Sequence, residues 1–271
     1  FADSSPIFSS DLTLKLINLN IFSEKQAGYL ALLVLSNRKE KSPVVHLEDL
    51  FDTIHSALIR DLKLNNDNFN ALALQFVALN FNICQEFIHD GSQTAYQWLE
   101  LIDLVYSFAS SPMTAVHLKR NAAIALNVLL KIYPQVIKAN TNWVPRILSL
   151  IEDSEDLGVL TSSIPLVELV SEINPTFIKL TMAATAQRLA RLLGVADMAT
   201  GRSSTQKSCP EEYLYYLVPA PWLVVKLLHL VEHLFLLQDE QEPPQPLLSF
   251  KSLDQDTVNN LRAVILKLIQ N

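Results

Sequence analysis

An imperfect repeat of about 41 residues constrains the fold of this chain more than any other feature. Five positions of the segment 120–137 have counterparts one repeat later: Leu126 in Val167, Leu129 in Val170, Ile132 in Ile173, Pro134 in Pro175 and Ile137 in Ile178. This period is typical of HEAT or armadillo helix pairs, which bury their apolar stripes by stacking on neighbouring pairs. The repeat therefore predicts an all-α, HEAT/armadillo-type α-solenoid, with residues 1–271 forming a single elongated domain of about six helix pairs.

Apolar residues recur at helical spacing along most of the chain and predict ten helices. The stripe of the first is Ala27, Leu30, Ala31, Val34 and Leu35, and the others are predicted at Leu47–Lys63, Phe69–Phe81, Ala95–Phe108, Ala115–Tyr133, Trp143–Ile151, Leu157–Ile173, Thr176–Leu193, Pro221–Leu237 and Thr257–Ile269. No stretch alternates with a period of two, so we predict no β-strands. Pro165 predicts either a kink or a later start for its helix, because proline removes the hydrogen bond to Thr161.

Two segments lack the helical period. Residues 194–212 are rich in Gly, Ser, Thr and Asp and are predicted to form an exposed loop insertion. Residues 239–249 are acidic and rich in Pro and are predicted to connect to a last helix, for which Ser252 or Asp254 is the expected N-cap.

Composition excludes several functional classes. The 271 residues contain 21 Lys and Arg against 28 Asp and Glu, and the resulting charge of -7 argues against nucleic acid as a partner. Two Cys cannot form a disulfide framework, which favours a reducing, cytoplasmic compartment. The pattern predicts no membrane span and no signal peptide. Because the chain opens at Phe1, we expect it to be a piece of a longer protein.

One motif resembles a metal site. His229, Glu232 and His233 match the H-x-x-E-H pattern, in which two His bind zinc and the Glu is the base of a metallohydrolase. Such a site needs a third ligand, and His pairs at this spacing also arise by chance on long helices. We therefore favour a polar helix face and predict no metal, no cofactor and no catalytic residue; the metallohydrolase stays open as an alternative.

Basic residues cluster at two places, Arg38 with Lys39 and Lys41, and Lys119 with Arg120. Clustered positive charge attracts anions, so both clusters are candidate contacts for a phosphoinositide headgroup or an acidic partner. A solvated helix end is the simpler interpretation of each.

Several motifs, in order along the chain, resemble the large subunits of clathrin adaptors. Glu24-Lys-Gln-x-Gly28-Tyr29-Leu30, Arg60-Asp-Leu62, Leu72-Ala-Leu74, Asp156-Leu-Gly-Val159 and Asn174-Pro175 carry the resemblance. The most specific stretch runs from Tyr215 to Leu228 and contains Val218, Pro219, Ala220, Pro221 and Trp222. This stretch is similar to α-adaptin of AP-2 and distinct from the γ type of AP-1. From the residues themselves we predict a structural role for it, with Pro221 at the first position of a helix.

The resemblance implies a non-enzymatic scaffold in clathrin-mediated endocytosis and vesicle-mediated protein transport. In that family the α trunk assembles with β, μ and σ subunits, and the whole complex binds phosphoinositide membranes and cargo sorting signals. Its location is the cytoplasmic face of the plasma membrane, in clathrin-coated pits. One departure is that residues 1–23 lack the family's basic lipid-binding cluster. A γ-adaptin, coatomer or nuclear-transport solenoid is the alternative within the same architecture.

Overall fold

A computed structural model describes residues 10–37, 47–80, 93–179, 185–192, 214–215, 218–237, 251 and 253–270. The described helices, numbered along the chain, are α1 Ser10–Asn18, α2 Phe22–Asn37, α3 Leu47–Lys63, α4 Asp67–Asn80, α5 Gln93–Ser110, α6 Val116–Ile132, α7 Pro134–Ala139, α8 Trp143–Glu152, α9 Leu157–Ile173, α10 Pro175–Lys179, α11 185–192, α12 Pro221–Leu236 and α13 Gln255–Gln270. The chain divides into two units, Phe1–Ile132 and Tyr133–Asn271.

In the first unit, the helices pack as successive pairs, α1 with α2, α3 with α4 and α5 with α6, and each pair contacts the next. Helix α1 packs on α2 and α3, α4 packs on α2, α3 and α6, and α5 packs on α3 and α6. Leu58, Leu74, Trp98 and Leu126 are fully buried between these helices. Removing such large apolar side chains from water provides most of the stabilisation of the helix pairs.

In the second unit, α9 is the central helix. It packs on α7, α8, α10 and α12, and Leu166, Val167 and Val170 on it are fully buried. Leu227 and Leu230 of α12 are also fully buried. Because α9 contacts neighbours on several sides, its sequence is apolar around much of its circumference.

The predicted all-α helical-repeat fold is confirmed, and the bounds of α3 and α9 agree with those predicted. Pro134 and Pro175 each begin a helix, as the repeat predicted, because proline loses no hydrogen bond in a first turn. The single elongated domain stays a prediction. Residues 194–212 and 239–249 lie outside the described residues, so the predicted loop and connector do too.

Four details differ from the sequence-based expectations. Residues Leu214–Tyr215 pair with Val218–Pro219 as two short antiparallel strands, β1 and β2. The prediction that the chain contains no β-strands was therefore wrong. Helix α1 was not predicted. The predicted helix Thr176–Leu193 corresponds to α10 and α11, with residues 180–184 outside the description. Helix α9 begins at Leu157, so a later start at Pro165 was also wrong.

The predicted buried stripe of α2 is correct at Ala31, which is 2% exposed, and wrong at Leu30 and Val34. Leu30 and Val34 are 56% and 44% exposed, whereas Lys25, Gly28 and Tyr29 are buried. Helix α2 carries apolar residues on all sides, so apolar spacing alone does not define which side is inside. Contacts of Lys25 and Gly28 with neighbouring helices define it instead, as described below.

Candidate functional site

Lys25 and Asp61 form a fully buried ion pair between α2 and α3. The Lys25 ammonium donates to Asp61 Oδ1, and the Tyr29 hydroxyl donates to Asp61 Oδ2 at 3.0 Å. The ring of Phe69 lies 5.0 Å from the Lys25 Nζ atom. Burial lowers the pKa of Lys25, and the hydrogen bond that Lys25 donates to Asp61 opposes that shift. Burial also raises the pKa of Tyr29, so its hydroxyl remains a neutral donor. The pair therefore ties two helices together and faces no solvent.

Residues next to this pair satisfy the ends of two helices. The Arg60 guanidinium donates to the carbonyl of Ile17 at 3.0 Å and to Asn18 Oδ1 at 3.1 Å, at the end of α1. The amide nitrogen of Asn70 lies 2.8 Å from the Asp61 carbonyl and 3.0 Å from the Leu64 carbonyl, at the end of α3. Carbonyls in the last turn of a helix have no backbone N–H partner within the helix. The side chains of Arg60 and Asn70 supply the missing hydrogen-bond donors.

Gly28 allows α1 and α2 to approach closely. A Cβ atom at position 28 would lie 2.9 Å from the backbone nitrogen of Ile17. Only glycine fits this contact without a shift of α1 or α2. Lys25, Gly28, Tyr29, Arg60 and Asp61 all belong to the motifs that carry the family resemblance. In the structure four of these residues are buried in the first unit, and the fifth, Arg60, is 38% exposed and contacts Asp61 Oδ1 at 3.3 Å.

A second polar contact joins α9 and α12. Pro165 has no N–H, so the carbonyl of Thr161 lacks its usual partner within α9. Lys226 of α12 supplies one, because its ammonium donates to the Thr161 carbonyl at 2.9 Å. This contact explains how α9 continues through a proline.

The two His of the H-x-x-E-H motif also face α9. His229 Nδ1 lies 3.0 Å from Glu168 Oε1, and His233 Nε2 lies 3.8 Å from Glu172 Oε1. The hydrogen bond with Glu168, and next the charge of Glu168, raise the pKa of His229 above its usual 6.5, although the His229 side chain is 66% exposed. Within the described residues, no group of three or more His, Cys, Asp or Glu side chains is arranged to hold a metal ion. We call the contacts of Lys226, His229 and His233 with α9 the α9–α12 seam.

The Val218–Trp222 stretch forms the entry to α12. Val218 and Pro219 form β2, Ala220 adopts a left-handed conformation with φ of 39°, and Pro221 begins the helix. The amides of Leu223 and Val224 donate to the Ala220 carbonyl at 2.9 and 3.1 Å. Pro221 at the first helical position is therefore confirmed, whereas Trp222 is 39% exposed.

Of the two basic clusters, the described residues include Lys119 and Arg120 only. Arg38, Lys39 and Lys41 lie outside the described residues. Lys119 and Arg120 lie at the start of α6, where Lys119 is half-buried and Arg120 exposed. The sequence has no Asp or Glu from residue 104 to residue 151, although the whole chain has a charge of -7. These two cations therefore belong to a basic stretch of an acidic chain.

The sequence-based prediction missed the buried pair and the seam. A signal for the pair was present, since Lys25 lies one turn before Gly28 and Tyr29, and Asp61 lies one turn after Ala57 and Leu58. Charged residues on the inner faces of two helices imply partners for each other. The partner of Lys226 had no such signal, because position 161 is distant in sequence.

None of the described helices is both long and apolar enough to cross a bilayer. No protein-family model matches the chain. The structure can be superposed on the crystal structure of an engineered protein over 94% of this chain and 99% of that chain. The TM-score is 0.46 and the sequence identity is 14%, which is too low a similarity to support a conclusion.

Relatives with similar sequences are α subunits of AP-2 complexes. The AP-2 complex subunit alpha of Saccharomyces cerevisiae is 28% identical over 264 residues, which are 96% of this chain and 24% of that protein. The alpha-2 subunit of Dictyostelium discoideum is 30% identical over 80% of this chain and 19% of its own length. The alpha-1 subunit of Arabidopsis thaliana is 26% identical over 83% of this chain and 19% of its own length.

The chain thus spans about a quarter or less of the length of these relatives. The chain is similar over most of its length to proteins from three organisms, and this agrees with the family resemblance of its motifs. The chain is therefore α-adaptin-like over most of its length, and its described residues form a helical-repeat fold.

Proposed function

We propose that this chain is a non-enzymatic scaffold segment of an AP-2-like clathrin adaptor that acts in clathrin-mediated endocytosis and vesicle-mediated protein transport. The observation that carries the proposal is the similarity to AP-2 α subunits over 96% of the chain. The buried positions of Lys25, Gly28 and Asp61 support it, because the motif residues maintain the helical array and leave the outer surfaces for partners.

The proposed partners are adaptor subunits of the β, μ and σ types. Helical repeats present side chains from successive helices on one extended surface, which suits large interfaces with other subunits. Through the whole complex, the proposed ligands are a phosphoinositide membrane and cargo sorting signals. The proposed location is the cytoplasmic face of the plasma membrane, in clathrin-coated pits.

Co-expression with defined partners tests the assembly. The tagged 271-residue chain is expressed with σ, β and μ subunits of the AP-2 type, or with the corresponding AP-1 subunits as the matched control. We expect stoichiometric co-purification of AP-2-type σ and β subunits. Preferential recovery of the AP-1 set would contradict the proposal and favour the γ-adaptin alternative. Recovery of neither set would contradict an adaptor role and leave coatomer-type or nuclear-transport solenoids to be tested in the same way.

Lys119 and Arg120 are the proposed anion contact of this segment. Positive side chains are unfavourable near a helix N-terminus, so their position at the start of α6 does not serve the stability of that helix. Exposed apolar residues adjoin them, since Met113 is 90% and Val116 53% exposed. Basic and apolar side chains together suit the interface of an anionic membrane.

Vesicle co-sedimentation tests that contact. Phosphatidylcholine vesicles with and without phosphatidylinositol 4,5-bisphosphate are mixed with the chain and with a Lys119→Glu, Arg120→Glu double variant. We expect the double variant to lose most of the lipid-dependent binding. Lys138→Glu with Arg146→Glu is the matched control, since it makes the same charge change at two exposed positions. An equal loss in both variants would contradict a specific site.

A further inference from the structure

The α9–α12 seam contains two His–Glu rungs on successive turns. His229 and His233 are four residues apart on α12, and their partners Glu168 and Glu172 are four residues apart on α9. This spacing places each pair of side chains on one face of its helix. The numbering rises in the same direction on both helices, so they run parallel along the seam. Protonated imidazoles at both rungs would attract two carboxylates across one helix contact.

The state of each rung depends on the proton of the imidazole. Glu168 faces His229 from α9, and Glu232 on α12 adds a weaker attraction. Arg188, a cation on the neighbouring α11, donates to the carbonyls of Ile151 and Ser154 and not to these groups. His233 Nε2 is buried without a hydrogen bond. Glu172 Oε1 lies 3.8 Å from that atom, which is beyond hydrogen-bond distance.

The direction of the pH effect follows from the raised pKa of His229. A group with a raised folded-state pKa stabilises the fold fully below its unfolded value of about 6.5, and this stabilisation is lost as the pH rises through the folded-state pKa. The contact between α9 and α12 should therefore be firmer on the acid side of neutrality.

We propose that Glu168, Glu172, His229 and His233 form a proton-operated clasp that holds α12 against α9. The clasp closes when His229 gains a proton and loosens when it loses that proton, and His233 and Glu172 lie one helical turn further along the same contact. It acts within the second unit and does not depend on the proposed adaptor role. Its consequence is that the entry to α12, including Val218–Trp222, is held more firmly in mildly acidic solution.

An NMR titration of the imidazole carbons in the 271-residue chain tests the rung that forms the hydrogen bond. We expect the midpoint of His229 to lie above 6.5 and to fall toward 6.5 in Glu168→Gln. His117, exposed on α6, is the internal reference whose midpoint should not differ between the two proteins. An unchanged His229 midpoint in Glu168→Gln would overturn the clasp, even if that variant is otherwise well folded.

Hydrogen exchange of the α12 amides tests the mechanical consequence. After correction for intrinsic rates, we expect protection at pH 6 to exceed that at pH 8 by about twofold to fivefold in the unmodified chain. The ratio should fall to about one in His229→Gln with His233→Gln and persist in the matched control His117→Gln. A ratio of one in the unmodified chain, or a ratio that persists in the double variant, would overturn the proposal.

Discussion

The polar contacts of the two units lie in opposite surroundings. Lys25 and Asp61 are both fully buried between α2 and α3, whereas the His229 side chain of the α9–α12 seam is 66% exposed. A buried charge without a partner is very costly, so each member of the first pair makes the other indispensable. An exposed pair competes with water and contributes little on its own. The first contact therefore specifies how two helices pack, and the second adjusts a contact that apolar burial already forms.

Lys226 is the intermediate case between these two regions. Its side chain is partly exposed, yet its partner is a backbone carbonyl that Pro165 has deprived of a hydrogen bond. The burial of each contact, and not the chemical type of the pair, thus determines how much the contact contributes to the free energy of unfolding. The four substitutions below test that difference in order of decreasing effect.

The largest effect should come from Asp61→Asn, which removes the counter-charge of buried Lys25. We expect the free energy of unfolding to fall by about 3–5 kcal/mol, because an uncompensated charge remains in the core. Urea denaturation measures this change. Asp52→Asn, an exposed position on the same helix, is the control and should change stability by less than about 0.5 kcal/mol. Similar losses in the two variants would remove the distinction between buried and exposed positions.

The second effect concerns the seam. Lys226→Met leaves the Thr161 carbonyl without a partner and should cost about 1–3 kcal/mol of unfolding free energy. Pro165→Ala restores an amide that can bond to that carbonyl, so the loss should be at least halved when Lys226→Met is made in that background. Lys138→Met, at an exposed lysine of the same unit, is the control. A loss that does not depend on residue 165 would show that Lys226 does not compensate for the proline.

The third substitution, Gly28→Ala, sharpens the account of the buried region. Alanine favours a helix by about 1 kcal/mol over glycine, so propensity alone predicts stabilisation. The contact of the new Cβ with the Ile17 backbone should outweigh this gain and leave a net loss of about 1–2 kcal/mol. Thermal unfolding measures the sign. Gln26→Ala at an exposed neighbouring position is the control, and a stabilised Gly28→Ala would contradict close packing of α1 on α2.

The smallest effect should come from Asp156→Ala at the start of α9. Asp156 accepts a hydrogen bond from the Val159 amide at 2.8 Å and is the N-cap of that helix. Loss of such a cap costs about 1 kcal/mol, which urea denaturation can resolve. Asp153→Ala, at an exposed position after α8, is the control. Equal effects in both variants would contradict the cap.

Helical periodicity predicted most of the fold because each repeat buries an apolar stripe. It predicted the bounds of α3 and α9 as the structure has them, and the positions of Pro134, Pro175 and Pro221 at the first residue of a helix follow from the chemistry of proline. Asp254 was one of two expected caps of α13, and its carboxylate accepts from the Thr257 amide at 2.8 Å. The Thr257 hydroxyl also donates to Asp254, at 2.6 Å, and this side-chain hydrogen bond is the main cause that lowers the pKa of Asp254, with the amide as the second cause.

Periodicity failed where the decisive contact lies elsewhere in the sequence. The phase of α2 depends on Asp61 and on the approach of α1, neither of which the stripe of α2 contains. The same holds for α9, whose course through Pro165 depends on Lys226 of α12. The His pair of α12 was recognised as a motif, but its carboxylate partners lie more than 60 residues away, as the separation of 61 between His229 and Glu168 shows.

Two double-mutant cycles test the central claim that the motif residues Lys25 and Asp61 form the architecture of the first unit. One cycle combines Lys25→Met with Asp61→Asn, and the other combines Lys63→Met with Glu100→Gln, whose side chains are 55% and 51% exposed and 2.5 Å apart. We predict a coupling energy of about 2 kcal/mol or more for the buried pair and below about 1 kcal/mol for the exposed one. Equal coupling energies would contradict the account.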